Sequence, residues 1–271
     1  MSLQYSKPGA QALERLREQC SRAHALQRDL LRELIRHNEG TELGRKLGFE
    51  RVHSVEDYQA MIPVSSYDDY ADAISRMLDG ARNVLSADEA IYFSLTSGTT
   101  GEQKYLPVSL ADMEIHYYYA YEAIFGMVRE HFPQLPEEKL FGKIFQVGEF
   151  VETTLPDGRM NGIRSSALYQ WLNRDGSFDA SDYCAPKEVV FPGTLEDLTY
   201  VKARFALAER QVRCLHGVFI HRMTGMLRYI ETNWDMLVED MERGTVNPRV
   251  ELSPRWRRLV EEQLGPDPAR A

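Results

Sequence analysis

The segment Thr96-Ser97-Gly98-Thr99-Thr100-Gly101-Glu102-Gln103-Lys104 constrains this chain more than any other. It lies between an alternating apolar run, Ile91 to Leu95, and a second extended run, Tyr105 to Val108, so it is expected to be a loop joining two strands. Gly98 and Gly101 let backbone N–H groups turn toward an anion, Ser97, Thr99 and Thr100 add hydroxyl donors, and Lys104 adds a mobile positive charge. Such a loop suits phosphate. It is not a Walker loop, because two residues rather than four separate the glycines and Tyr105 follows the lysine. The competing reading is an ordinary surface turn, the usual fate of a Ser/Thr/Gly-rich stretch.

Strands alternating with helical patterns predict an α/β fold. Apolar residues at helical spacing predict one long amphipathic helix over residues 9–37, and Thr41 to Gly48 reads as a short helix stopped by its glycine. Ser66 with Asp69 reads as the cap of a helix over 67–79 that ends at Gly80. Ser109 is expected to cap a long helix to about residue 131. Its aromatics either pack in the core or line a pocket, and Tyr118 and Tyr121, three apart, would share a face. Further on, the sequence predicts a buried strand over 140–147, a turn at Leu155 to Arg159 and a helix over 164–173. Thr194 and Asp197 then suggest a capped helix to about 211, followed by a strand over 212–219. A helix carrying Met223 to Met241 is expected to end at Gly244, and a last one to open at Ser253-Pro254 and stop at Gly265.

Composition narrows the class of partner. The formal charge of −9, from 41 acidic and 32 basic residues, repels nucleic acid and anionic membranes on average. Positive charge for a phosphate ligand must therefore be local, as at Lys104. Charged residues make up 27% and apolar ones 43%, without an apolar run of membrane-crossing length or a leader, so a cytoplasmic protein is expected. Cys20, Cys184 and Cys214 are odd in number and widely spaced, which predicts buried free thiols rather than disulfides or a zinc site. His37, His116, His216 and His221 have no metal-ligand or nucleophile spacing and are expected to pack or face solvent.

At the glycine-rich loop the chain resembles adenylate-forming enzymes, which carry Ser/Thr-Ser/Thr-Gly-Thr-Thr/Ser-Gly-x-x-Lys after an apolar residue. Gln103 departs from the proline common in acyl-CoA synthetases. Four other stretches narrow the likeness: Asn38 to Phe49, Pro63 to Tyr70, Asn83 to Ser86, and Asn233 to Gly244 with its Trp234-x-x-Leu237-x-x-Asp240 pattern. Together they are similar to the Gretchen Hagen acyl-acid amido synthetases, the auxin-responsive promoter family, over about residues 8–260. The resemblance implies a mixed-sheet α/β domain with flanking helices. It also implies ATP-dependent activation of a carboxylic acid to an acyl adenylate, followed by amide formation with an amino acid.

Carried over residue by residue, the resemblance makes Ser97, Gly98, Thr99, Thr100 and Gly101 phosphate holders and Lys104 the group that meets departing pyrophosphate. Mg²⁺ would bridge phosphate oxygens, and no metal-ligating residue of the chain is implied. Tyr118, Tyr121 and Ser166 would belong to the acyl pocket. The family's later aromatic-x-Ser-Ser/Thr-Glu and Tyr-Arg-x-Gly-Asp motifs have no counterpart here. Residues 1–271 are therefore expected to be the N-terminal portion of the large domain, with the small C-terminal domain absent, and to have little activity alone. Two alternatives stay open at this level: an acyl- or aryl-CoA ligase, which shares the first half-reaction, and a non-catalytic ligand-binding or interaction module.

Overall fold

The computed structural model describes residues 7–96, 103–117, 119, 122–140, 142–148, 152–176, 178–192 and 196–271. Its strands are β1 (Ala90–Leu95), β2 (Tyr105–Ser109), β3 (Lys143–Gln146), β4 (Glu152–Thr154), β5 (Met160–Gly162) and β6 (Val212–His216). The chain divides into two compact units, one from Tyr5–His131 with Glu152–Trp171, the other from Phe132–Val151 with Leu172–Ala271.

The first unit holds a mixed sheet in the order β2-β1-β5-β4. β1 is antiparallel to β2 and parallel to β5, and β5 is antiparallel to β4. The β1–β2 pair is the predicted pair of strands around the glycine-rich loop. β4 and β5 join through the predicted turn, where Gly158 adopts φ 89° and the Leu155 N–H donates to the Arg159 carbonyl at 2.7 Å. Helix Ala71–Leu78 packs Ile74 and Met77 with Val84, Ala90 and Phe93 to form the core next to β1. Arg159 fastens this layer: its guanidinium donates to the carbonyls of Met77 (2.6 Å) and Leu78 (3.2 Å) and lies 5.0 Å over the Phe93 ring.

In the same unit, helix Lys7–Ser21 crosses helix Ala123–His131 at two glycines. A Cβ on Gly126 would come 2.1 Å from the Gly9 carbonyl oxygen, so the backbones meet where no side chain fits. Arg17 and Glu130 close the crossing with two bonds of 2.7 and 2.6 Å. Both side chains are largely exposed, so the pair adds little beyond orientation.

The second unit is built around helix Thr199–Ala208. Tyr200, Val201, Lys202, Ala203, Arg204, Phe205 and Ala206 are all buried, so this helix has no polar face. Beside it lies the parallel pair β3-β6. One core gathers Val189, Val201, Leu237, Trp256 and Val260, each fully buried, and another joins Phe145 and Val147 to Ala203 and Met226. The two buried cations of the helix bond to nearby oxygens, although the Arg204 Nε has no hydrogen-bond partner among the described residues. Lys202 donates to the Gly148 carbonyl at 2.7 Å. Arg204 reaches the Tyr200 hydroxyl (2.6 Å) and the carbonyls of Thr245 (2.7 Å) and Asp240 (3.0 Å).

Several helices differ from the pattern their periodicity suggests. Residues 9–37 form two helices, Lys7–Ser21 and Ala23–Asn38, parted at Arg22. The Ser21 hydroxyl donates to the Glu18 carbonyl at 2.6 Å and so competes with the helical ladder at that point. The helix expected from Ser66 begins as a 3₁₀ turn, Tyr67–Asp69, before Ala71–Leu78. Ser109 caps as predicted, accepting from Asp112 N–H at 3.2 Å. Its helix, however, runs as Leu110–Tyr117 and Ala123–His131, with Tyr119 and Glu122 between them in π-helical winding that resets the register. Thr194 lies outside the described residues. The helix expected from it spans Thr199–Ala208, with the Asp197 carboxylate accepting from Thr199 N–H at 2.9 Å. The Met223 to Met241 stretch is two helices, Ile220–Thr232 and Trp234–Arg243, split where the Asn233 amide donates to the Tyr229 carbonyl at 2.9 Å.

All three cysteines are free as expected, but Cys20 and Cys214 are exposed and Cys184 is partly covered. Cys20 lies in the last turn of its helix, beyond the stretch packed around Ala12 and Leu13. No described helix is long and apolar enough to cross a membrane.

Candidate functional site

Residues Ser97, Gly98, Thr99, Thr100 and Gly101 lie outside the described residues, as do Tyr118 and Tyr121. The neck of the loop is described on both sides. The strand ladder continues one step past β1 and β2: Thr96 N–H donates to the Lys104 carbonyl at 3.0 Å, and Lys104 N–H donates to the Thr96 hydroxyl at 3.1 Å. Thr96 serves because its side-chain oxygen can accept where the ladder ends, a role an apolar β-branched residue could not fill. Lys104 therefore stands at the mouth of the loop, opposite Thr96.

The Lys104 ammonium lies 5.0 Å over the Tyr67 ring. Tyr67 belongs to the 3₁₀ turn whose start is held by the Asp69 carboxylate, which accepts from Ser66 N–H at 2.7 Å. That backbone donor, together with the Ser66 hydroxyl, keeps the Asp69 carboxyl below its ordinary range. The Tyr67 hydroxyl accepts from Tyr105 N–H at 3.1 Å. Among the described residues Lys104 makes no ion pair with a carboxylate.

Ser166 sits elsewhere in the same unit. It is fully buried on helix Arg164–Leu172, and its hydroxyl has no hydrogen-bond partner among the described residues. The neighbourhood is a polar cluster inside the sheet. The Tyr92 hydroxyl donates to the Ile163 carbonyl at 3.3 Å, and Gln170 donates to Glu152 at 2.7 Å. Burial pushes the Glu152 carboxyl up, against the pull of Gln170 and Tyr92. Burial, reinforced by the Glu152 charge, pushes the Tyr92 phenol up as well. Tyr92 is four residues before Thr96 on the β1 path, roughly 13 Å along an extended strand, so the cluster and the loop mouth are separate places on one strand.

At the described neck of the loop, paired backbone and hydroxyl groups fix the distance between the strand ends, and the Lys104 ammonium stands beside them. For a divalent cation the described residues supply nothing comparable. No group of three or more His, Cys, Asp or Glu side chains among them is arranged to hold a metal. The histidines hold structural places: His37 bonds Asp88 at 3.0 Å, His216 bonds Gln146 at 2.5 Å and His221 stacks on Phe219. Burial holds His116 below its ordinary value, with the Arg164 charge adding to the effect.

Sequence reasoning did not single out Tyr67, Tyr92 or Glu152. A signal for Tyr67 existed in the run Pro63 to Tyr70. For Glu152 there was none, since its meaning depends on Tyr92 and Gln170 from distant elements.

Comparison with known proteins agrees over nearly the whole chain. The GH3 family N-terminal domain matches residues 12–271. The indole-3-acetic acid-amido synthetase GH3.8 of Oryza sativa subsp. indica is 28% identical over 266 residues, covering 94% of this chain and 43% of its own. A probable indole-3-acetic acid-amido synthetase, GH3.12 of Oryza sativa subsp. japonica, is 30% identical over 261 residues, covering 91% and 41%. A jasmonoyl-L-amino acid synthetase, GH3.3 of the same plant, is 28% identical over 260 residues, covering 91% and 54%. A solved GH3.15 acyl acid amido synthetase shares the fold at TM-score 0.75 and 19% identity, over 95% of this chain and 45% of that one. The chain thus spans about half the length of the relatives it matches.

Proposed function

Because this chain belongs to the GH3 family, as the match to that family's N-terminal domain over residues 12–271 shows, we propose that it serves in the ATP-dependent joining of a carboxylic acid to an amino acid. The relatives named for amido synthesis with indole-3-acetic and jasmonic acids support that reaction class. The observation that carries the proposal is the loop mouth. Thr96 and Lys104 are cross-bonded at 3.0 and 3.1 Å below a segment of three hydroxyls and two glycines, and Lys104 makes no ion pair with a carboxylate among the described residues.

In this reading the hydroxyls of Ser97, Thr99 and Thr100 and the amides around Gly98 and Gly101 hold the triphosphate. Lys104 stabilises charge that develops as pyrophosphate departs, so its contribution is electrostatic and positional. ATP supplies the leaving group that makes a carboxylate open to attack by an amine. Mg²⁺, when bound with the nucleotide, would supply further positive charge to the phosphates. Tyr118, Tyr121 and Ser166 remain the proposed acyl-pocket residues. The work of this chain is to bind and orient the nucleotide, while the full two-step reaction is proposed for a protein with the relatives' whole length.

Titration of the chain with ATP and Mg²⁺ by calorimetry tests the binding step. Lys104→Ala is expected to weaken affinity at least about tenfold, the worth of one charge-assisted hydrogen bond of roughly 1.5–3 kcal/mol. Equal affinity in wild type and variant would remove Lys104 from the site. The acid–amine reading is separated from a CoA ligase by offering amino acids, CoA and hydroxylamine to a full-length relative-sized protein. Transfer to CoA in place of amino acids would select the ligase.

A further inference from the structure

The run Pro63 to Tyr70 has no part in the nucleotide reading so far, yet it delivers Tyr67 to Lys104, at the end of the loop, and to Tyr105, the first residue of β2. The Tyr67 ring lies 5.0 Å from the Lys104 ammonium, and its hydroxyl receives the N–H of Tyr105 at 3.1 Å. We propose that Tyr67 is the positioning residue for Lys104, a platform that holds the ammonium at the loop mouth without neutralising it. The proposal rests on the reading of residues 97–104 as a nucleotide-phosphate holder.

The platform is itself well fixed. Its ring packs against the core of Ile74, Met77, Val84, Ala90 and Phe93. The turn that carries it is locked by the Ser66 and Asp69 bond. Lys104, by contrast, has a long flexible stem and an exposed end. A carboxylate neighbour could also hold that end, but it would cancel the charge and compete with phosphate for it. The face of an aromatic ring attracts a cation weakly and leaves its full charge in place. Of the ammonium's three N–H groups, those turned away from the ring stay free to donate to a phosphate oxygen. Part of the ordering of the lysine is then complete before nucleotide arrives.

The contact can be read directly by NMR on protein whose lysines carry ¹³C-dimethyl groups, which keep the positive charge. The Lys104 signal, assigned with Lys104→Arg, is expected upfield of the other lysines through the ring current and to show an NOE to the Tyr67 ring. Tyr67→Leu should return it to the ordinary position, whereas Tyr67→Phe, which keeps the ring, should preserve the shift. ATP affinity should fall about threefold in Tyr67→Leu and stay near wild type in Tyr67→Phe, the scale of one exposed cation–π contact. A wild-type Lys104 signal without ring shift or NOE overturns the proposal, and this measurement needs only the conservative Lys104→Arg variant, for assignment. Equal shifts and equal affinities in the Leu and Phe variants overturn it too. A ring-shifted Lys104 that responds to Tyr67→Leu in a protein that does not bind millimolar ATP upholds the platform and refutes the nucleotide reading.

Discussion

Asp240 offers the sharpest test of how the second unit is held. Arg204 and Asp240 are almost wholly buried, at 1% and 3% side-chain exposure, with 3.8 Å between Nη1 and Oδ2. The carboxylate also accepts the Tyr200 hydroxyl at 2.7 Å. Asp240→Ala leaves a buried guanidinium without its counter-charge, which costs about 3–5 kcal/mol when one partner of such a pair is removed. The Tyr200 hydroxyl loses its acceptor in the same stroke, although Arg204 keeps the Thr245 and Asp240 carbonyls. A loss of about 4 kcal/mol is therefore expected, close to a thousandfold in the folding equilibrium. Asp240→Asn retains an acceptor for Tyr200 and should cost about half as much. The assay is urea unfolding followed by ¹⁹F NMR of 5-fluorotryptophan, because Trp256 is fully buried in the same unit and reports on it alone. Glu239→Ala, on the exposed side of the helix, is the control and should stay within about 0.5 kcal/mol. An Asp240→Ala cost no larger than that control would refute the argument. The apolar replacement Tyr200→Phe/Arg204→Met/Asp240→Leu should be less damaging than Asp240→Ala, since it leaves no unpaired charge.

Two glycines in helices should respond oppositely to alanine. Gly126→Ala drives a Cβ into the Gly9 backbone at 2.1 Å and is expected to destabilise by about 1–3 kcal/mol. Gly225→Ala, in helix Ile220–Thr232 with nothing within 4 Å of the new Cβ, should stabilise by about 0.5–1 kcal/mol, both read as shifts in Tm. Glu152 should impose a pH dependence. Its carboxyl is held above the ordinary range, so the folded state disfavours the ionised form and loses stability as pH rises from the unfolded value through the folded one. Glu152→Gln should accordingly gain on wild type at neutral pH, with the difference vanishing below about pH 4. A constant difference across that range in urea unfolding would contradict the sign.

Much of the local structure is legible in the chain because its signals are short-range. Gly48 takes φ 70° and stops its helix as expected, and Thr41 caps the other end by accepting from Gly44 N–H. The Ser66 and Ser109 caps, the Gly158 turn and the strand pair around the loop depend on neighbours a few residues away. The helix breaks at Arg22 and Asn233 were hidden because apolar spacing continues across them, while each break is made by one side chain bonding back to a carbonyl. Helix Thr199–Ala208 lacked an apolar stripe because every side of it is covered. The Trp234-x-x-Leu237-x-x-Asp240 pattern was visible, but not its division of labour. Leu237 and Asp240 lie in the interior, while Trp234 is half exposed. As for the candidate site, the loop and Lys104 announce themselves by composition, whereas Tyr67 gains meaning only when the 3₁₀ turn is brought to the end of the loop.

The glycine crossing bears on the order in which the molecule is made. Helix Lys7–Ser21 leaves the ribosome well before its docking partner, which lies more than a hundred residues downstream, as the 113-residue separation of Arg17 and Glu130 records. Until residue 131 has emerged, the Ala12 and Leu13 face has no native surface to cover it. At about 5–20 residues per second, that is a wait of roughly 6 to 22 seconds. The nascent chain thus carries an apolar stripe through the synthesis of some hundred further residues, which makes this first helix a natural place for a chaperone to hold.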